Sequence, residues 1–226
     1  MENKFSDLLN GNNDKATTNH KRVHNLIIVD ESGSMDCIVE QAIDGMNQTL
    51  KTIAEIQQQY PEQEQLTTLL TFDSEHTKYH LQNAPTSKIH TITTSDYNPC
   101  ACTPLYDAIG QSVTLLRRNV AKGDNVLVTI ITDGEENSSK EWNHTMVKKL
   151  IEQLKKENWT FTFIGTEGID VKHIASSLSI DEYLQFQQDA DGTVEMFACE
   201  ANARRRYNEQ VNTDTDLSIG DFFVED

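Results

Sequence analysis

The stretch Asn25-Leu26-Ile27-Ile28-Val29-Asp30-Glu31-Ser32-Gly33-Ser34-Met35 decides how this chain is read. Its first half is a continuous apolar run, which suits a strand covered on both faces of a sheet. Its second half changes at once to Asp, Ser and Gly, residues that make turns. A second segment repeats the pattern: Val126-Leu127-Val128-Thr129-Ile130-Ile131-Thr132 runs into Asp133 and Gly134. A third, Thr103-Pro104-Leu105-Tyr106-Asp107-Ala108-Ile109, reads as a helix start, with Thr103 as N-cap and Pro104 at the first helical position.

Working outward, strands are expected at 24–29, 66–72, 76–82, 125–132, 159–164 and 182–186. Helices are expected at 37–59, from Thr103 to about Arg118, and at 141–157, 170–178 and 192–209. In the first helix Ile38, Ala42, Ile43, Met46, Leu50, Ile53, Ala54 and Ile56 recur at three- and four-residue steps, the period of one buried helical face. The short Asp73-Ser74-Glu75 turn between the second and third strands predicts an antiparallel hairpin at one sheet edge. Elsewhere strand and helix alternate. The expected class is therefore α/β: a doubly wound, mostly parallel sheet with one antiparallel edge strand and helices on both faces. One domain over 23–209 is expected, with a flexible segment at 1–22 and an acidic tail at 210–226.

In such a sheet, ligands bind beyond the carboxyl ends of the strands. That rule selects Asp30, Ser32, Ser34, Thr103 and Asp133, all small oxygen donors placed where strands give way to loops. Mg²⁺ takes oxygen ligands, needs few carboxylates and keeps several waters. Three hydroxyls with two carboxylates answer that description, so the five are expected to hold Mg²⁺, with Mn²⁺ or Ca²⁺ as alternatives. Gly33 and Gly134 are expected to admit close backbone approach. Glu31, Asp36, Glu135 and Glu136 read as a solvated acidic rim, or as a second cation site or a selector for basic surfaces. Asp107 reads as structural, and His24, at the far end of the first strand, is given no role.

The set D-x-S-x-S at Asp30, Ser32 and Ser34, then Thr103, then Asp133, resembles the metal-ion-dependent adhesion site of von Willebrand factor A (vWA) domains. The strand before Asp30, the T-P-L-Y-D-A-I helix start and the I-I-T-D-G-E-E-N strand end share the resemblance, which covers about residues 24 to 185. It is strongest toward small stand-alone vWA proteins of bacteria and phages. What it implies is a Rossmann-like vWA fold and a protein-binding module whose cation, at an open position, accepts an Asp or Glu from a partner protein. Family analogy would include AAA+ ATPases among such partners.

Composition narrows the alternatives. A net charge of −17 argues against nucleic acid and against anionic lipid as partners. No run of residues reaches a membrane span of about 20 apolar positions. Met1-Glu2-Asn3-Lys4-Phe5 carries no apolar signal region, so the expected location is cytoplasmic. Cys37, Cys100, Cys102 and Cys199 form no regular framework and read as structural or incidental thiols, with a metal or redox role as the minor alternative. Arg204-Arg205-Arg206 reads as a solvated helix face, with a docking patch for an acidic partner as the minor alternative. Oligomeric state has no signature. The competing function is a metal-dependent phosphohydrolase or phosphotransferase using Asp30 as nucleophile. Such haloacid-dehalogenase-like sites want an acid where Ser32 stands. The phosphate-binding patterns G-x-x-x-x-G-K-[ST] and G-x-G-x-x-G and the nucleophile elbow G-x-S-x-G are absent, so the expectation is no enzyme.

Overall fold

A computed structural model describes residues 21–215 and 222–223. In chain order the elements are β1 (Lys21–Asp30), α1 (Val39–Gln59), β2 (Gln63–Phe72), β3 (Thr77–Pro85), α2 (Leu105–Arg117) and β4 (Asn125–Thr132). They continue with α3 (His144–Leu154), β5 (Trp159–Thr166), α4 (Val171–Ser177), β6 (Glu182–Phe186) and α5 (Ala190–Thr213). A 3₁₀ turn, Gly33–Ile38, leads into α1. The six strands form one sheet in the order β3-β2-β1-β4-β5-β6. All neighbouring pairs are parallel except β2 with β3.

Strand alternation divides the apolar run of β1 between two cores. Leu26 and Ile28 join α2, α3 and α4 on one face, through Ile109, Val113, Val147, Ile151 and Val171. Ile27 and Val29 join α1 and α5 on the other, through Met46, Ile53, Met196 and Phe197. Burial on both faces is what the absence of polar alternation in the sequence implied. At the order reversal, β1 lies between β2 and β4, so the chain winds outward in both directions from the β1/β4 pair. The carboxyl ends of those two strands are where Asp30 and Asp133 emerge, which is the switch point at which doubly wound sheets bind ligands.

Several boundaries differ from the sequence reading for local reasons. β1 begins at Lys21, so residues 21 and 22 belong to the sheet; Arg22 pairs with Glu64 on β2 at 2.7 Å. The rest of the proposed flexible segment lies outside the described residues. α3 begins at 144 rather than 141 because the Asp107 carboxylate captures the backbone N–H groups of Lys140, Glu141 and Trp142. Asn143 then caps the helix, accepting from Met146 N. α5 continues through Thr213, and Phe222 is buried against Tyr207, so part of the proposed tail packs on the domain. Residues 216–221 and 224–226 lie outside the described set.

The basic run on α5 is corrected more sharply. Arg204 is fully buried and is no part of a solvated face. Its guanidinium donates to Glu200 Oε1, to Asn25 Oδ1 at 2.6 Å and to Thr129 Oγ1 at 3.0 Å. α-Helical spacing puts Glu200 one turn before it, and the polar Asn25 and Thr129 interrupt the apolar runs of β1 and β4 to receive it. Among the described residues no helix is long and apolar enough to cross a membrane. None of the four cysteines forms a disulfide.

Candidate metal centre

Three loops meet at the switch point. The turn after β1 is fastened to the segment before α2 by backbone bonds: Gly33 N donates to Ala101 O at 3.3 Å, and Cys100 N to Glu31 O at 2.9 Å. Tyr97, buried, donates its hydroxyl to Asp30 O at 2.7 Å. The loop after β4 joins the same segment through Thr103 N to Asn137 Oδ1 at 2.8 Å and Asn137 N to Thr103 O at 3.1 Å. Each loop thereby fixes the backbone of the next.

The candidate side chains converge within this frame. Asp30 is fully buried. Its Oδ1 accepts from Ser32 N at 2.7 Å and its Oδ2 from Thr132 Oγ1 at 2.6 Å. Ser32 and Ser34 hydroxyls stand 3.3 Å apart, and Ser34 Oγ donates to Asp133 Oδ1 at 2.8 Å. A Cβ added at Gly134 would lie 3.1 Å from Thr103 Oγ1, which places that hydroxyl directly beside the residue following Asp133. All five predicted donors are therefore brought to one end of the sheet, four of them in a continuous hydrogen-bonded chain. Glycine at 134 is accounted for by this close approach. Gly33 is not, because a Cβ there would meet nothing closer than 3.6 Å.

Thr103 does not cap α2. The helix starts at Leu105, and its first amides are taken by the loop after β4: Tyr106 N by Glu136 Oε2 at 2.9 Å and Asp107 N by Ser139 Oγ at 3.0 Å. Glu136 also accepts from Ser138 N and Ser139 N, so it is a structural clasp rather than part of a solvated rim. Glu31 is likewise no rim residue: it is fully buried, with Oε1 accepting from Lys78 Nζ at 2.6 Å and Asn98 N at 2.6 Å. Glu135 and Asp36 are exposed. His24 is buried between Asn83 Oδ1 and Asp124 Oδ2, remote from the cluster.

Electrostatically the cluster is under tension. Burial pushes the Asp30 carboxyl up to about 6, with the nearby Asp133 charge adding to the rise and hydrogen bonds from Thr132 and Ser32 opposing it. Burial, with the charges of Asp30 and Glu31, pushes the Tyr97 phenol well above its usual value, so it stays a neutral donor. A desolvated carboxylate beside a second carboxylate is a place where positive charge is favourable. Among the described residues no three His, Cys, Asp or Glu side chains group as a metal site. The donor set here is of another kind, two carboxylates with three hydroxyls, and its hard oxygens fit a cation such as Mg²⁺.

Sequence reasoning missed Thr132, Tyr97 and Gln188. Gln188 Nε2 donates to Asp133 Oδ2 at 2.5 Å and to Ser34 O at 3.2 Å. The one available signal was position: Gln188 follows a parallel strand, β6, and so belongs to the same edge of the sheet.

No protein-family model matches the chain, and no curated protein sequence does. Solved structures do. The SpRpn10 VWA domain matches with a TM-score of 0.58 at 12% identity, over 79% of this chain and 94% of that one. The chain has a vWA-like fold. Manganese-loaded TRAP protein of Plasmodium vivax matches this vWA-like chain with a TM-score of 0.50 at 16% identity, over 79% and 72% of the two chains. Proximal thread matrix protein 1 of the mussel byssus matches with a TM-score of 0.55 at 13% identity over 82% of this chain. The vWA-like chain spans less than half of that longer protein, 46% of its length.

Proposed function

We propose that this vWA-like chain is a protein-binding module whose cluster of Asp30, Ser32, Ser34, Thr103 and Asp133 holds a divalent cation, Mg²⁺ in the first instance, and with it captures a carboxylate of a partner protein. The observation that carries the reading is the hydrogen-bonded convergence of the Asp30 turn with Asp133, with Thr103 alongside, at the switch point of the sheet. Ser32, Ser34 and Thr103 supply neutral oxygens. Asp30 and Asp133 supply charge, directly or through water. When bound, the cation offers an open coordination position to an Asp or Glu side chain of the partner. Solved structures with the same fold, among them a manganese-loaded one, support the reading.

The module turns nothing over. Both oxygens of Asp30 are engaged, by a backbone N–H and by Thr132, which suits a fixed ligand better than a nucleophile that must approach phosphorus. The chain's charge of −17 repels an acidic partner at long range, so either the cation supplies the local attraction or the partner presents its carboxylate among basic residues.

The test is the thermal midpoint in EDTA and in Mg²⁺, Mn²⁺ or Ca²⁺, for wild type and Asp133→Ala. A cation at about a hundred times its dissociation constant adds about 2.7 kcal/mol, or about 5–10 °C for a domain of this size. A rise present in wild type and lost in the variant is the expected result, followed by partner capture that EDTA abolishes. An equal response in both proteins, or none in wild type, refutes the site. Turnover of a phosphoryl substrate that stops in Asp30→Asn refutes the assignment as a module.

A further inference from the structure

Every oxygen of the two carboxylates already carries a donor. Asp30 receives Ser32 N and Thr132 Oγ1; Asp133 receives Ser34 Oγ and Gln188 Nε2. These donors differ in what they can do when a cation arrives. The Ser34 hydroxyl can keep its proton on Asp133 Oδ1 and still offer a lone pair, because a hydroxyl both donates and accepts. Thr132 and the Ser32 amide hold Asp30 from within the fold. The Gln188 amide nitrogen is different: it has hydrogens to give and no lone pair to lend a cation. It stands between two oxygens, Asp133 Oδ2 and Ser34 O, that would otherwise face positive charge unshared.

Resting on the cation-site reading above, we propose that Gln188 is an internal occupant of the site: its side-chain amide takes the place of positive charge at Asp133 and must withdraw before a divalent cation binds. The backbone around it is anchored. Gln188 N donates to Glu167 Oε2 at 2.9 Å, and Glu167 N donates to Phe186 O at 2.9 Å. Asp189 caps α5 by accepting from Gly192 N at 2.8 Å, and a Cβ at Gly192 would sit 2.4 Å from Gln187 O, so the loop is packed onto the first turn of that helix. The half-buried side chain of Gln188 is thus the part free to move, by rotation about its own bonds. A binder whose competent form is a fraction of the population has its affinity lowered by that fraction. Gln188 accordingly sets the cation affinity below what the five oxygen donors would give alone.

Two substitutions push in opposite directions. Gln188→Ala removes the occupant, and Gln188→Lys replaces it with a permanent ammonium at Asp133. Calorimetric titration of wild type and both variants with Mg²⁺ and Mn²⁺, alongside their thermal midpoints in EDTA, reads the result. Gln188→Ala is expected to bind either cation about tenfold more tightly than wild type, and Gln188→Lys to bind neither while keeping or raising its midpoint in EDTA. Equal binding by wild type and Gln188→Ala overturns the inference and leaves the cation site standing. Weaker binding by Gln188→Ala overturns it in favour of ligation through a flipped amide oxygen. No binding by either wild type or Gln188→Ala overturns it together with the reading on which it rests.

Discussion

Replacing Asp30 by Asn should stabilise the cation-free protein at neutral pH, and the amount follows from the site. Burial raises the Asp30 carboxyl from its ordinary 3.8 to about 6. An acid whose folded value lies above its unfolded one favours the folded state when protonated. Its contribution is therefore fully present below about pH 4, is lost as pH rises through about 6, and above that becomes a constant cost relative to a neutral group. The span is about two pH units, each worth about 1.36 kcal/mol, so the charge costs about 3 kcal/mol at pH 7.5. Asn keeps the shape and keeps an oxygen to accept from Ser32 N, while Thr132 Oγ1, which already accepts from Gly134 N, can accept again. The assay is thermal unfolding in EDTA from pH 4 to 8 for wild type and Asp30→Asn. Subtracting the two curves cancels the titration of the other acidic groups. The variant should match wild type near pH 4 and exceed it by about 6–12 °C near pH 7.5, and saturating Mg²⁺ should close the gap from the wild-type side. A difference that stays flat across that range, or that favours wild type at pH 7.5 in EDTA, refutes the argument that this carboxylate is held at a cost to stability.

Other substitutions separate the site from the scaffold. Thr103→Val keeps the volume and the backbone bonds to Asn137 but removes one oxygen, so the Mg²⁺-induced rise in midpoint should shrink by more than half with little change in EDTA. Arg204→Ala leaves Glu200 charged in the core and should cost about 3–5 kcal/mol in denaturant unfolding, whereas Arg204→Met with Glu200→Leu should recover most of it. In Gly45→Ala the new Cβ would fall 2.0 Å from the Phe197 ring where α1 meets α5. Overpacking of about 1–3 kcal/mol should outweigh the gain of about 1 kcal/mol in helix propensity, and adding Phe197→Leu should relieve it.

The sheet was legible because its signals are local. Apolar runs at 26–29 and 126–131, the second broken only by Thr129, are buried on both faces, and the four-residue turn between β2 and β3 forces an antiparallel edge. Element ends were less legible wherever a distant carboxylate decides them. The start of α3 is set by Asp107, more than thirty residues earlier, and the first turn of α2 by Glu136, about thirty later. Neither pairing leaves a trace in periodicity. Arg204 misled for the same reason: a triple-arginine run reads as solvated until Asn25 and Thr129 are brought beneath it by the fold, across 179 and 75 residues.

The same division runs through the site. The residues offering oxygens sit at strand ends, where the α/β rule alone points to them. The residues that hold those oxygens in place come from elsewhere and do not announce themselves. Thr132 bonds to Asp30 across 102 residues, Tyr97 across 67, and Gln188 reaches Asp133 across 55. A turn rich in Asp and Ser would, by itself, satisfy its own side chains with its own amides and leave nothing over for a ligand. Here the folded chain sets a second carboxylate against that turn and buries the first until its charge is costly. Ligand types can therefore be read from local sequence, whereas the tension that makes them want a cation is a property of the assembled sheet edge.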